Sequence, residues 1–187
     1  MHNQTRRAVH GFTLIELLIV VIILAILAAV VIPQFANSTA DAKESALDAD
    51  LSAMRSAIEL YKAQHNNVYP GAVTSVGTAT ACTAVSGAIG TGAINTFQAV
   101  IDQLTAASDA TGVTCSVASA TYRFGPYLRK SMPTEPITGN AAIVVTFAGT
   151  PIVPAAATGG WAMDDVSGEI VMNSNALDSK TKSYSTH

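Results

Sequence analysis

Gly11-Phe12-Thr13-Leu14-Ile15-Glu16-Leu17-Leu18-Ile19-Val20-Val21 decides how this 187-residue chain is read. A leader carrying Arg6 and Arg7 ends in glycine, an apolar run begins at once, and one carboxylate interrupts it. From Leu17 the run continues through aliphatic and alanine residues to Ile32. A bilayer crossing needs roughly 20 apolar residues, so residues 12–33 are expected to form a membrane-inserted helix. An acidic residue at mid-helix costs about 2.5–3.5 kcal/mol, and less near a helix end. Glu16 lies near the start of the run, where the cost falls, yet it still calls for a partner.

Three processing schemes compete for these residues. A secretory signal cut near Ala25-Ile26-Leu27-Ala28-Ala29 fits poorly, because the apolar region starts well before that point and continues past it. A plain signal anchor leaves Gly11 and Glu16 without a role. Cleavage between Gly11 and Phe12 uses every feature. It creates a charged amine one helical turn from Glu16, and a carboxylate in the first turn suits the helix macrodipole. Within one chain, or between packed neighbours, amine and carboxylate can neutralise each other.

The segment Gly11-Phe12-Thr13-Leu14-Ile15-Glu16 with its aliphatic run resembles the class III signal of type IV pilins and type II secretion pseudopilins. The resemblance implies cleavage after Gly11 by a prepilin peptidase, N-methylation of Phe12, and a role for Glu16 in subunit assembly. Pro33 removes one helix hydrogen bond and crowds the preceding turn, at about 3 kcal/mol. By the same resemblance, a kink or extended stretch is expected there in the assembled state.

Beyond Pro33, Leu47, Leu51, Met54, Ile58 and Tyr61 recur at helical spacing and predict one apolar stripe on an amphipathic helix. Asn66-Asn67 and Tyr69-Pro70-Gly71 signal its end. Residues 71–92 read as a loop of small and polar residues. Thr96 to Ala107 reads as a short helix capped by Asn95, with Phe97, Val100, Ile101 and Leu104 on one face. Ala142 to Phe147 reads as a strand. Trp161-Ala162-Met163 and Ile170-Val171-Met172 flank Asp164 to Glu169 as a hairpin with a glycine turn. The final ten or so residues are polar and expected to fray.

The domains expected are thus a leader over 1–11, removed on processing, a transmembrane and assembly helix over 12–33, and its amphipathic second half over 34–66. A head follows over 67–187, with a variable loop at 71–120 and a C-terminal β-region. The fold class expected is α+β and pilin-like: a long N-terminal helix, transmembrane in its first half, packed on a small antiparallel sheet. Ile58-Glu59-Leu60-Tyr61-Lys62 with Tyr69-Pro70, the Phe124-to-Leu128 turn and the tryptophan-led final hairpin look like the major pseudopilin group. Residues 72–120 carry no such likeness.

Cys82 and Cys115 follow the apolar run. With Arg6 and Arg7 before it, the positive-inside tendency places them outside the cytoplasm. There they can pair, closing a loop of about 30 residues worth roughly 3 kcal/mol; two free thiols are the alternative. Net charge is −3 and no basic patch is evident, so nucleic acid is not an expected partner. His65 and His187 are expected to be solvated, and the sequence contains no convincing catalytic set, so an enzyme is not expected. An exported enzyme on a membrane anchor remains the weaker alternative. Major pseudopilins bind calcium in the C-terminal β-region, and Asp164, Asp165 and Ser167 could supply oxygen ligands, although their spacing equally suits a hairpin turn.

The resemblance therefore implies a pseudopilin that polymerises through its N-terminal helix in a type II secretion pseudopilus. A type IV pilin of a surface fibre for adhesion, motility or DNA uptake is the alternative. Implied partners are identical or related subunits, the prepilin peptidase and methyltransferase, an inner-membrane assembly platform with its ATPase, and membrane lipid. The implied location is the bacterial inner membrane, single-pass with the head outside the cytoplasm, and then a periplasmic or surface filament.

Overall fold

A computed structural model describes residues 12–129 and 131–187; Gly11 and the leader lie outside the described residues. One helix, α1, runs Leu14–Gln64. Pro33 falls within it, and the backbone stays helical through that point. The chain divides into two compact units, one ending at Ala40 and the other running Asp41–His187.

In the first unit, Leu14–Ile32 is long and apolar enough to cross a membrane, and none of it is buried inside the protein. Side chains on every face of this stretch are exposed, from Val31 at 42% to Leu14 at 83%. A helix that is apolar all round belongs in lipid or in a protein interior.

The second unit begins with the amphipathic part of α1. Leu47, Leu51, Met54, Ile58 and Tyr61 are fully buried, which is the stripe that the sequence spacing predicts. Asn66 and Asn67 adopt φ of 53° and 64°. Asparagine tolerates this left-handed region better than most residues, and the helix stops there. A short helix α2 (Ala79–Thr83) and a longer one, α3 (Phe97–Thr105), follow. Thr96, rather than Asn95, caps α3, its hydroxyl accepting from the Ala99 N–H. Asn95 is instead held at φ 61°, outside the extended conformation an N-cap adopts. The buried face of α3 is Ala99, Val100, Gln103 and Leu104, and Phe97 points outward at 54% exposure.

Strands β1 (Ala107–Ser108) and β2 (Thr114–Cys115) pair antiparallel. Strands β3 (Ile143–Thr146), β4 (Trp161–Asp164) and β5 (Ile170–Met172) form a three-stranded sheet in that order. The β4–β5 hairpin is antiparallel, whereas β3 lies parallel to β4, so the antiparallel sheet expected from the sequence gains one parallel edge. The long connection over 147–160 supplies the crossover that parallel pairing requires. At the hairpin turn Gly168 has φ 75°, and a Cβ there would collide with the Tyr69 ring.

The main core joins the α1 stripe to Val100 and Leu104 of α3 and to Ile143, Trp161, Met163, Ile170 and Met172 of the sheet. Trp161 is fully buried, and its indole N–H donates to the Pro133 carbonyl at 2.8 Å. A second, smaller cluster forms around Cys82, Ala107, Cys115 and Tyr122. Truncating Ile58 to Ala should cost about 2–5 kcal/mol. Leu60→Ala, on the exposed side of the same helix, should cost under about 0.5 kcal/mol. Thermal unfolding of the two variants in detergent checks the contrast.

Candidate functional site

Helix α1 starts with a reciprocal pair of side-chain caps. The Thr13 carbonyl accepts the first helical hydrogen bond, from the Leu17 N–H at 3.3 Å. The Glu16 N–H donates to the Thr13 hydroxyl at 3.4 Å, and the Thr13 N–H donates to Glu16 Oε2 at 2.9 Å. The Thr13 hydroxyl also donates to the same carboxylate oxygen. This is a capping box, in which residues three apart satisfy each other's backbone donors. The pattern Thr-x-x-Glu was readable in the sequence. The partner of Glu16 is thus a neutral hydroxyl three residues away and not a formal charge.

Phe12 is exposed at 82%. With Gly11 before it in sequence, its nitrogen is a peptide N–H and carries no charge, and Thr13 is the partner that holds Glu16. Beyond Glu16, Leu14, Leu17, Leu18, Val21 and Ile22 line an apolar surface groove of about 240 Å³. The site is thus one fixed carboxylate at the head of an uncovered apolar helix, which suits packing against other helices or lipid.

The structure joins Cys82 to Cys115, with 5.6 Å between their Cα atoms. The bond links α2 to β2 within the expected variable loop. That loop is further tied to α3 by two polar side chains. Gln103 is buried, accepting from the Gly71 N–H at 2.8 Å and donating to the carbonyls of Val73 and Gly112 at 3.0 Å each. Asp102 accepts from the Ser75 hydroxyl at 2.7 Å and from the N–H groups of Thr91 and Gly92.

The three calcium candidates make separate contacts. Asp164 Oδ1 accepts from the N–H groups of Val166 and Ser167 at 3.1 and 2.8 Å. Its Oδ2 accepts from the Thr146 hydroxyl and from the N–H groups of Ala148 and Gly149. With five donors the carboxylate already organises the hairpin turn. The Ser167 hydroxyl accepts from the Glu169 N–H. Asp165 turns away, its carboxylate lying beside Gly71. Among the described residues no group of three or more His, Cys, Asp or Glu could hold a metal ion.

The two neighbouring aspartates are driven apart by their surroundings. Burial pushes the Asp164 carboxyl up, but the hydrogen bonds from Ser167, Gly149 and Ala148 outweigh it and hold the value at about 2. Asp165 is 1% exposed, and among the described residues neither carboxylate oxygen has a hydrogen-bond partner. Burial first, and the Asp164 charge second, raise its pKa.

The histidines are not solvated as expected. His65 is buried and stacks on Tyr61, with ring centroids 3.8 Å apart. Its Nδ1 lies 2.8 Å from the Tyr61 carbonyl and its Nε2 2.9 Å from the Ser108 hydroxyl. A carbonyl can only accept, so the proton sits on Nδ1 and Nε2 accepts from Ser108. Burial lowers the His65 pKa. His187 is bound between two carboxylates, Asp48 and Asp178. Both differences have one cause: sequence spacing does not show which long-range neighbours reach a polar residue beside a helix end or a terminus.

The family described as the prokaryotic N-terminal methylation motif matches residues 6–32. The chain is 45% identical over 65 residues to type II secretion system core protein G of Pseudomonas aeruginosa, covering 35% of this chain and 45% of that protein. It is 41% identical over 58 residues to a type IV narrow pilus major component of Thermus thermophilus, covering 31% of this chain and 50% of that protein. It is 53% identical over 49 residues to a type IV major fimbrial protein of Dichelobacter nodosus, covering 26% and 31%. The chain thus spans half or less of the length of these relatives. No solved structure matches. The N-terminal segment thus combines a matched methylation motif with a helix long and apolar enough to cross a membrane.

Two outcomes test the site. Thr13→Val should weaken the helix start by about 1 kcal/mol, while Thr13→Ser should preserve it; amide exchange of residues 14–17 in micelles measures the difference. Asp165 has a raised folded-state pKa, so its favourable contribution is complete below the unfolded value and is lost as pH rises through the folded one. Asp165→Asn should therefore raise the thermal midpoint at about pH 7, and this gain should vanish below about pH 4.

Proposed function

We propose that this protein is a structural filament subunit, a pseudopilin of a type II secretion pseudopilus, and not an enzyme. The observation that carries the reading is a helix apolar on all faces that opens with a capped glutamate inside a matched methylation motif. Cleavage between Gly11 and Phe12, followed by N-methylation of Phe12, produces a cationic amine one turn from Glu16. That amine competes with Thr13 for the carboxylate, or reaches the carboxylate of a neighbouring subunit. Charge neutralisation then removes the cost of placing Glu16 in an apolar filament core. Pro33 marks the turn of α1 that lacks a backbone donor, and there the helix can open during assembly.

On this reading the partners are a prepilin peptidase, an inner-membrane platform with its ATPase, lipid, and identical or related subunits. The head lies outside the cytoplasm, where Cys82 and Cys115 oxidise. A surface type IV pilin is the second reading, favoured by the likeness to the Thermus and Dichelobacter pilus proteins.

Mass spectrometry of the mature chain should find an N-methylated Phe12; an N-terminus near Val30 would overturn the processing scheme. Glu16→Ala should abolish filament assembly at normal insertion, scored by cross-linking and sedimentation of membranes. Deleting the gene should block export of secreted proteins while leaving surface fibres intact. The opposite pair of results selects the pilin reading.

A further inference from the structure

The C-terminal segment, expected to fray, is instead fastened to helix α1. Glu44, near the start of the second unit, accepts from the Ser179 N–H and hydroxyl, both at 2.8 Å. Asp178 Oδ1 accepts from the N–H groups of Lys180 and Lys182, closing a turn. The remaining oxygen, Oδ2, faces His187 Nε2 at 3.2 Å, and His187 Nδ1 faces Asp48 Oδ1 on α1 at 2.8 Å. The Arg55 guanidinium donates to the His187 backbone oxygen at 2.8 Å. The His187 side chain is only 9% exposed.

This geometry constrains protonation. A neutral imidazole has one N–H and one lone pair, whereas the imidazolium has two N–H groups. Two carboxylates can only accept, so both contacts are hydrogen bonds only when the ring is charged. When it is neutral, one carboxylate faces a lone pair. We propose that His187 is a proton-dependent clasp that tightens the hold of the 174–187 segment on α1 when charged and loosens it when neutral.

Charged groups surround the clasp on both sides. Asp41, Glu44 and Asp48 face the clasp from α1, against Arg55 on the same helix. From its own segment come Asp178 and Lys180, with the Tyr184 ring stacked 5.8 Å away. Asp178 itself stays an anion. Burial alone would raise its pKa, but the Lys182 and Lys180 N–H groups and His187 together lower it. The device is independent of the filament reading, since all its parts lie within the Asp41–His187 unit.

The test is amide exchange of residues 178–186 in the full chain in detergent, corrected for intrinsic exchange, at about pH 5.5 and about pH 8.5, either side of the ordinary imidazole value. Residues 161–164 and 170–172 serve as the internal reference for the intact head. Wild type should lose about tenfold or more in protection at the higher pH, the size of one charge-assisted hydrogen bond. His187→Gln should show low protection at both values. Asp48→Asn should flatten the pH response, because an amide can face either an N–H or a lone pair. Ring 15N shifts of wild-type His187 should show both nitrogens protonated at about pH 5.5. Equal protection at the two pH values, a singly protonated ring at the lower one, or an unchanged pH response in His187→Gln would each overturn the clasp. His65 is still present in that variant, so its titration cannot imitate the result.

Discussion

One helix has to satisfy two different environments, and this constraint organises the rest. Between Leu14 and Ile32 α1 is apolar on all faces and buries none of them in its own chain. From Leu47 to Tyr61 only one stripe is apolar, and every residue of it is buried. The first pattern leaves a large apolar area with nowhere to go in water; the second leaves one face for α3 and the sheet. The two halves therefore differ in what completes them. The second is finished within the chain, while the first is finished only by lipid or by other helices.

The same division explains what was legible in the sequence. The stripe and the final hairpin follow from spacing alone, because burial of a periodic apolar face leaves little choice of register. The N-terminal site is visible as a motif, but a formal charge is not what meets Glu16: Thr13 satisfies the carboxylate with neutral donors. The C-terminal segment differs from its sequence expectation for the opposite reason. Its residues are polar and look solvated, yet Glu44, Asp48 and Asp178 each find partners more than 130 or only a few positions away. Distant polar pairing leaves no periodic trace.

Residues 71–120 show how a segment poor in large apolar side chains stays ordered. Its own core is the small cluster around the cysteines and Tyr122. Further order comes from backbone pairing within the segment and from backbone groups held by Gln103 and Asp102, which project from α3 as fixed brackets. A buried polar side chain with all its partners specifies one arrangement, and leaving any partner unpaired is costly. The loop is thus positioned by hydrogen-bond satisfaction, whereas the head core is positioned by packing. Its lack of family likeness does not imply a lack of structure.

The Cys82–Cys115 bond also carries a restriction on a third residue. A Cβ placed at Gly87 would fall 2.5 Å from the Cys115 sulfur and 2.8 Å from the Cys82 sulfur. Both are far inside van der Waals contact, and neither sulfur can swing aside while the two are joined. The bridge therefore occupies the space a side chain at residue 87 would need. Cys82, Gly87 and Cys115 behave as a single unit of substitution: a descendant that gives up the bridge frees all three positions at once, and one that keeps it is confined to glycine at the middle one.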